Sequence, residues 1–201
     1  MGGEIELSAL VANVRAFRPT TLPTAGLRHA AVALAVARSG PTLGIWLTRR
    51  NSGLRAHPGQ LALPGGRLDP GEDAVDAALR ELGEELGVPA TRSAYVGALD
   101  DYTTRSGYVI TPIVFAIGDA PPLAPNPAEV AEVYTIPLAD VDVEPRYLRI
   151  PESDQPVIQL PLVGTYVHAP TAAVIYQFRE VALHGRATPV AHLEQPVWAW
   201  S

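Results

Sequence analysis

The chain has 201 residues, 47% of them apolar and 18% charged, and a formal net charge of −6. That balance is globular rather than disordered, and the length is enough to bury a core. The negative charge argues against a general nucleic-acid-binding surface, and zero cysteines exclude disulfides and thiolate metal ligands.

In chain order, Leu7, Leu10, Val11, Val14 and Phe17 recur at helical spacing and predict an amphipathic helix over residues 5–17, ended by Pro19. Residues 19–27 read as a linker. Apolar runs from Ala30 to Ala37 and from Leu43 to Leu47, joined by Ser39-Gly40-Pro41, predict a hairpin-like pair of strands. Composition alone leaves a helix open for the alanine-rich first run. Gln60 to Leu63 is a short strand leading into Pro64-Gly65-Gly66. A helix follows, in which Ala74, Val75, Ala77, Ala78, Leu79, Leu82 and Leu86 supply helix formers and an apolar stripe. Gly87 and Pro89 stop it.

Beyond that helix, Ala94–Leu99 and Tyr108–Ile117 are predicted strands, the second rich in β-branched residues. Residues 118–128 form a Pro-rich, extended connection, and Glu129–Ile136 returns to a strand pattern. Residues 140–157 read as irregular and charged. Thr171–Leu183 is a further helix, with Gly185 as its stop, packed on the sheet face opposite the helix that carries Ala74 to Leu86 or beside it. The tail, residues 186–201, is read as an edge strand or hook on the core, with a homodimer contact as the alternative. No apolar run approaches the ~18 residues of a membrane span, and no signal-peptide pattern opens the chain. The expectation is one cytoplasmic domain over 1–201, with no nucleic-acid or membrane partner and with 1–18 and 186–201 as extensions.

The stretch Gly66–Val88 holds the chemistry. Glu81, Glu84 and Glu85 share one helix face, three and four residues apart. A like-charge i,i+4 pair costs roughly 0.2–0.5 kcal/mol, and all three glutamates lie near the helix end that disfavours anions. Arg80, four before Glu84, is in the weaker orientation for a pair. Carboxylates crowded without local compensation read either as a solvated acidic helix end or as the seat of a missing cation, for which hard oxygen donors favour Mg²⁺ or Mn²⁺ over zinc or copper.

The full spacing, G-x5-E-x7-R-E-U-x-E-E-x-G-U with U aliphatic, resembles the Nudix box at every defined position, from Gly66 through Glu72 and Arg80 to Val88. The resemblance implies an α/β Nudix fold, a mixed β-sheet sandwiched between helices. It also implies hydrolysis of a nucleoside diphosphate linked to another moiety. Glu81, Glu84 and Glu85 would be metal ligands, the Gly65 carbonyl would complete a metal shell, Arg80 would orient a neighbouring glutamate, and Glu72 would be structural. Upstream, LTRRNSGLRAHPGQLALPGG (residues 47–66) resembles the signature of the coenzyme A pyrophosphatase branch, departing at Asn51, Leu61 and Leu63. Arg50 and Arg55 suit bidentate clamping of phosphate oxygens, with His57, Gly59, Gln60 and Gly66 adding donors. Arg49 and Arg67 fall at variable positions and carry no assigned role.

Downstream, Ser106-Gly107-Tyr108 with Thr111-Pro112 and Glu129–Val133 match further segments of that branch, which makes Glu129 a fourth carboxylate, as base or ligand. Val167–Ala172 departs from it. The expected reaction is Mg²⁺- or Mn²⁺-dependent cleavage of coenzyme A, or its acyl derivatives, to phosphopantetheine and adenosine 3′,5′-bisphosphate. The alternatives are the same fold acting on ADP-ribose, a dinucleotide or a nucleoside triphosphate, or a sensing module that binds a nucleotide without cleaving it.

Overall fold

The computed structural model describes residues 6–24, 26–53 and 59–200. Helix α1 (Leu7–Ala16) buries Leu10 and Val14. Strands β1 (Arg28–Ser39) and β2 (Thr42–Arg50) form the antiparallel hairpin expected from the two apolar runs. Strand β3 (Leu61–Ala62) pairs with β2, and β4 (Gly65–Arg67) with β1. After helix α2 (Ala74–Leu86) come β5 (Tyr95–Ala98), β6 (Tyr102–Thr103), β7 (Tyr108–Asp119) and β8 (Val130–Pro137). The sheet runs β3-β2-β1-β7-β5, with β8 on β2. Strands β1 and β7 are parallel while the other pairs are antiparallel, so the sheet is mixed.

Alternation along β1 decides how the layers form. Ala31, Ala33, Ala35 and Ala37 face one side and pack with Ala77, Ala78, Leu82 and Leu86 of α2. Small residues on both partners let helix and sheet approach closely, so the alanine-rich run is a strand whose composition fits a helix seat. Leu34 and Val36 face the other side, where α1 and helix α4 (Thr171–Phe178) pack. Helix α4 therefore lies opposite α2, one of the two placements expected for it, and a π-helical turn, Arg179–Leu183, extends it. Leu82 and Leu86 are fully buried, each contributing about 2 kcal/mol.

Helix α2 is sharply bounded. The Asp73 carboxylate accepts from the Val75 and Asp76 N–H groups, both at 2.9 Å. At the far end Gly87 adopts φ 68°, and the Gly87 and Val88 N–H groups donate to Gly83 and Leu82. Asp73 is therefore the capping residue.

Residues 140–157 are more regular than the sequence suggests. A short helix α3 (Leu138–Val141) leads to β9 (Arg146–Ile150) and β10 (Ser153–Leu162), and β11 (Thr165–His168) completes a three-stranded antiparallel sheet. Beneath it Arg179, 7% exposed, donates to Asp142 (2.7 Å), Glu144 (2.7 Å) and Glu180 (2.8 Å). Glu180 also accepts from Arg186 at 2.8 Å and from Thr188 at 3.0 Å. Truncating a buried arginine strands its carboxylates, so Arg179→Ala should lower stability by about 3 kcal/mol in urea unfolding. No helix among the described residues is long and apolar enough to cross a membrane.

Candidate active site

Glu81, Glu85 and Glu129 each place a carboxylate oxygen within 4.8 Å of the others. Two come from successive turns of α2. The third arrives through the Pro-rich connection, which is docked on the helix end: Ala124 N–H donates to the Leu86 carbonyl and Asn126 N–H to that of Glu85, both at 2.9 Å. Those bonds satisfy carbonyls left free at a helix C-terminus and deliver Glu129 to the cluster. The N–H of Asn51, the residue after β2, donates to the Glu129 carbonyl at 2.8 Å and fixes it there.

Glu85 is 3% exposed. Burial, then the charge of Glu81, pushes its carboxyl up to about 8, with Glu129 adding to the effect and Arg50 opposing it. Its Oε2 is buried with no hydrogen-bond partner. Burial also raises Glu81, against the pull of Arg80. Three converging carboxylates, one carrying an orphaned oxygen, are a donor set suited to a hard divalent cation.

Arg80 organises the rim. Its Nε donates to Glu72 and its Nη1 to Glu81, each at 2.8 Å, while Nη1 also reaches Glu84 (2.9 Å) and Nη2 the Arg67 carbonyl (2.9 Å). The weak i,i+4 pair with Glu84 is thus one of five hydrogen bonds from this guanidinium, two of which hold Glu72. The Glu84 carboxylate is exposed and turned to Arg80, outside the tight cluster. Gly66 passes so close to Glu81 that a Cβ there would lie 2.1 Å from Oε1.

Gly65 and Gly66 border a cavity of about 750 Å³. Arg50 and Gln60 line it, and Arg50 Nε is buried without a partner. Gly59 makes a turn at φ 70°, its N–H on the Arg50 carbonyl, and is not part of this wall. Arg55 and His57 lie outside the described residues. The cavity also gathers Arg28, Arg67, Arg105 and Tyr108, for which the sequence reading had no role, and Pro170 and Thr171 from the departing segment.

The tail forms part of the same wall through Gln195, Ala199 and Trp200. Tyr102 donates to the Leu193 carbonyl (2.7 Å), the Arg105 N–H to the Gln195 side chain (2.7 Å), and buried Glu194 accepts from Arg105 Nε (3.1 Å) and Ser153 (3.0 Å). The Arg105 guanidinium lies 4.9 Å from the Trp200 ring centre. None of these contacts is local in sequence, so no motif announces them.

Residues 27–160 match the model of the NUDIX domain family. The chain is 43% identical over 115 residues to the uncharacterized Nudix hydrolase NudL of Photorhabdus laumondii, covering 56% of this chain and 60% of that protein. Against NudL of Yersinia enterocolitica it is 42% identical over 117 residues, covering 57% and 59%. The matched part thus spans about three fifths of those relatives. Among solved structures, the Nudix hydrolase RenU of M. smegmatis superposes with a TM-score of 0.53 at 22% identity, over 79% of this chain and 87% of that one. That likeness concerns the fold.

Proposed function

Because the chain belongs to the NUDIX domain family, we propose that it hydrolyses the diphosphate bond of a nucleoside diphosphate derivative, with coenzyme A or an acyl-coenzyme A as substrate. The observation that carries this reading is the Glu81–Glu85–Glu129 cluster beside a cavity lined by Arg50. Glu81, Glu85 and Glu129 would hold Mg²⁺ or Mn²⁺, with Glu84 at the rim and the Gly65 backbone nearby. A divalent cation bound there supplies neutralising charge at the diphosphate and lowers the pKa of a bound water.

The chain's own groups do the rest. Arg80 fixes Glu81 and Glu84, so the carboxylates keep one geometry. Arg50, buried at Nε and free of a partner there, suits a phosphate oxygen at the cavity floor. A carboxylate of the cluster accepts the proton of the attacking water, and the cavity walls orient the leaving group for in-line attack. The coenzyme A assignment rests on the upstream signature, of which Leu47, Thr48, Arg50, Gly59, Pro64, Gly65 and Gly66 lie among the described residues.

The test is incubation of pure protein with Mg²⁺ or Mn²⁺ and a panel of coenzyme A, acetyl-coenzyme A, ADP-ribose, NADH and dinucleoside polyphosphates, with products identified by mass spectrometry. Phosphopantetheine and adenosine 3′,5′-bisphosphate are the expected products, and chelator should abolish them. Turnover of ADP-ribose but not coenzyme A would replace the coenzyme A assignment with the ADP-ribose alternative. Binding without any turnover would make the chain a sensor.

A further inference from the structure

Three cavity arginines have no carboxylate within 4 Å among the described residues, although acids outnumber bases 21 to 15 in the chain. They are Arg28, Arg50 and Arg67. Arg50 lies toward the glutamates, since its charge is felt by Glu85. The other two are gathered elsewhere, on Tyr108. The Arg28 guanidinium lies 3.9 Å from the Tyr108 ring centre and that of Arg67 lies 5.5 Å from it. Arg67 Nε donates to the Tyr108 hydroxyl at 2.8 Å, and Arg28 Nη2 to the Ser106 carbonyl at 2.8 Å.

Each guanidinium carries five N–H donors, and each uses one on these internal bonds. Two like charges are therefore held together over one aromatic ring, with most donors unengaged and no counter-charge among the described residues. The ring's negative face offsets part of the repulsion. An anion in the cavity would remove the rest.

The register sets where that anion would sit. On β1, Ala31 pairs with Gly66 and Ala30 with Arg67, while Arg28 pairs with Tyr108 of β7. From Ala31, beside the glycine that abuts Glu81, to Arg28 is three residues, about 10 Å along a strand. One nucleotide spans such a distance.

We propose that Arg28 and Arg67, positioned by Tyr108, form a subsite for a phosphomonoester that the nucleotide carries in addition to the diphosphate. The placing of the diphosphate rests on the function proposed above. The subsite selects nucleotides bearing that extra phosphate and disfavours otherwise identical ones without it. Arg28 and Arg67 are both exposed side chains, so their replacement leaves the core intact.

Calorimetric binding of adenosine 3′,5′-bisphosphate and of 5′-AMP, without metal, tests the subsite independently of turnover. The wild-type chain should bind the bisphosphate about tenfold or more tightly, and Arg28→Gln/Arg67→Gln should bring the two affinities together. Tyr108→Phe, which keeps the ring but frees Arg67, should give an intermediate ratio. Equal affinities in the wild type, no binding of the bisphosphate at millimolar concentration, or an unchanged ratio in the double variant would overturn the subsite. Coenzyme A hydrolysis without any preference for the bisphosphate sinks the subsite alone. A preference without hydrolysis upholds it and sinks the catalytic reading.

Discussion

Glu85→Gln should cost at least about a thousandfold in turnover while making the metal-free protein more stable at alkaline pH. The first effect is the scale expected when a group that organises charge at the reacting centre is lost. The second follows from burial. Glu85 titrates at about 8 in the folded chain against an ordinary value of 4.5. Between those limits the folded chain keeps a proton that the unfolded chain has released, so it binds more protons. Stability in chelator should therefore fall as pH rises from about 4.5 and level off above about 8. Glutamine has no charge to desolvate, so the variant's stability should decline less across that window. Adding Mg²⁺ should raise the wild-type melting temperature more at pH 8 than at pH 5.5, because the ligands must be deprotonated to bind. Melting curves at several pH values, with chelator and with Mg²⁺, check both signs. A Glu85→Gln chain retaining most of its turnover would refute the metal assignment. The same change at Glu84, whose carboxylate is exposed, should lower turnover with little movement of the stability curve.

What could be read ahead of the structure follows how locally each feature is encoded. The α2 boundaries and the β7 strand are set by neighbours within a few residues and stand as expected, whereas of the three glutamates on α2 only Glu81 and Glu85 join the cluster. Glu129 was legible as a fourth carboxylate, base or ligand, from the match of Glu129–Val133, but the route by which it reaches Glu81 and Glu85 was not. What brings it there is the docking of residues 118–128 on the carbonyls of Glu85 and Leu86. The second sheet was missed because β9 is largely exposed and β10 contains Pro156 and Pro161, which blur the alternation of a strand. Arg80 looked like a weak helix pair because its stronger partner, Glu72, stands eight residues away on a loop. Arg28, Arg67, Arg105 and Trp200 converge only once β1, β4, the 104–107 turn and the tail are in place. Chemistry carried by one helix is visible in one stretch of sequence; a cavity wall assembled from four segments is not.

Gly65 and Gly66 separate catalysis from folding most sharply. At Gly66 an added Cβ would meet Glu81 Oε1 at 2.1 Å and Cδ at 2.6 Å, both at the far end of a side chain. At Gly65 it would meet the Ala31 carbonyl oxygen at 2.4 Å and Val32 Cα at 2.8 Å, which are backbone atoms of the central strand. A side chain can swing away, whereas β1 cannot move without parting from β2 and β7, to which it is paired. Gly66→Ala should therefore leave the fold standing but drive the Glu81 carboxylate out of the cluster and off its 2.8 Å bond to Arg80. Turnover should drop about a hundredfold or more, since small displacements of a positioned group cost rate steeply, with a loss of only about 1 kcal/mol in stability. Gly65→Ala should show the reverse order of effects, with a stability loss of about 3 kcal/mol from overpacking against the sheet. Urea unfolding and single-turnover rates on both variants make the comparison. If Gly66→Ala turned over at the wild-type rate, the geometry of Glu81 would not matter to the reaction, and its place among the metal-holding carboxylates would have to be given up.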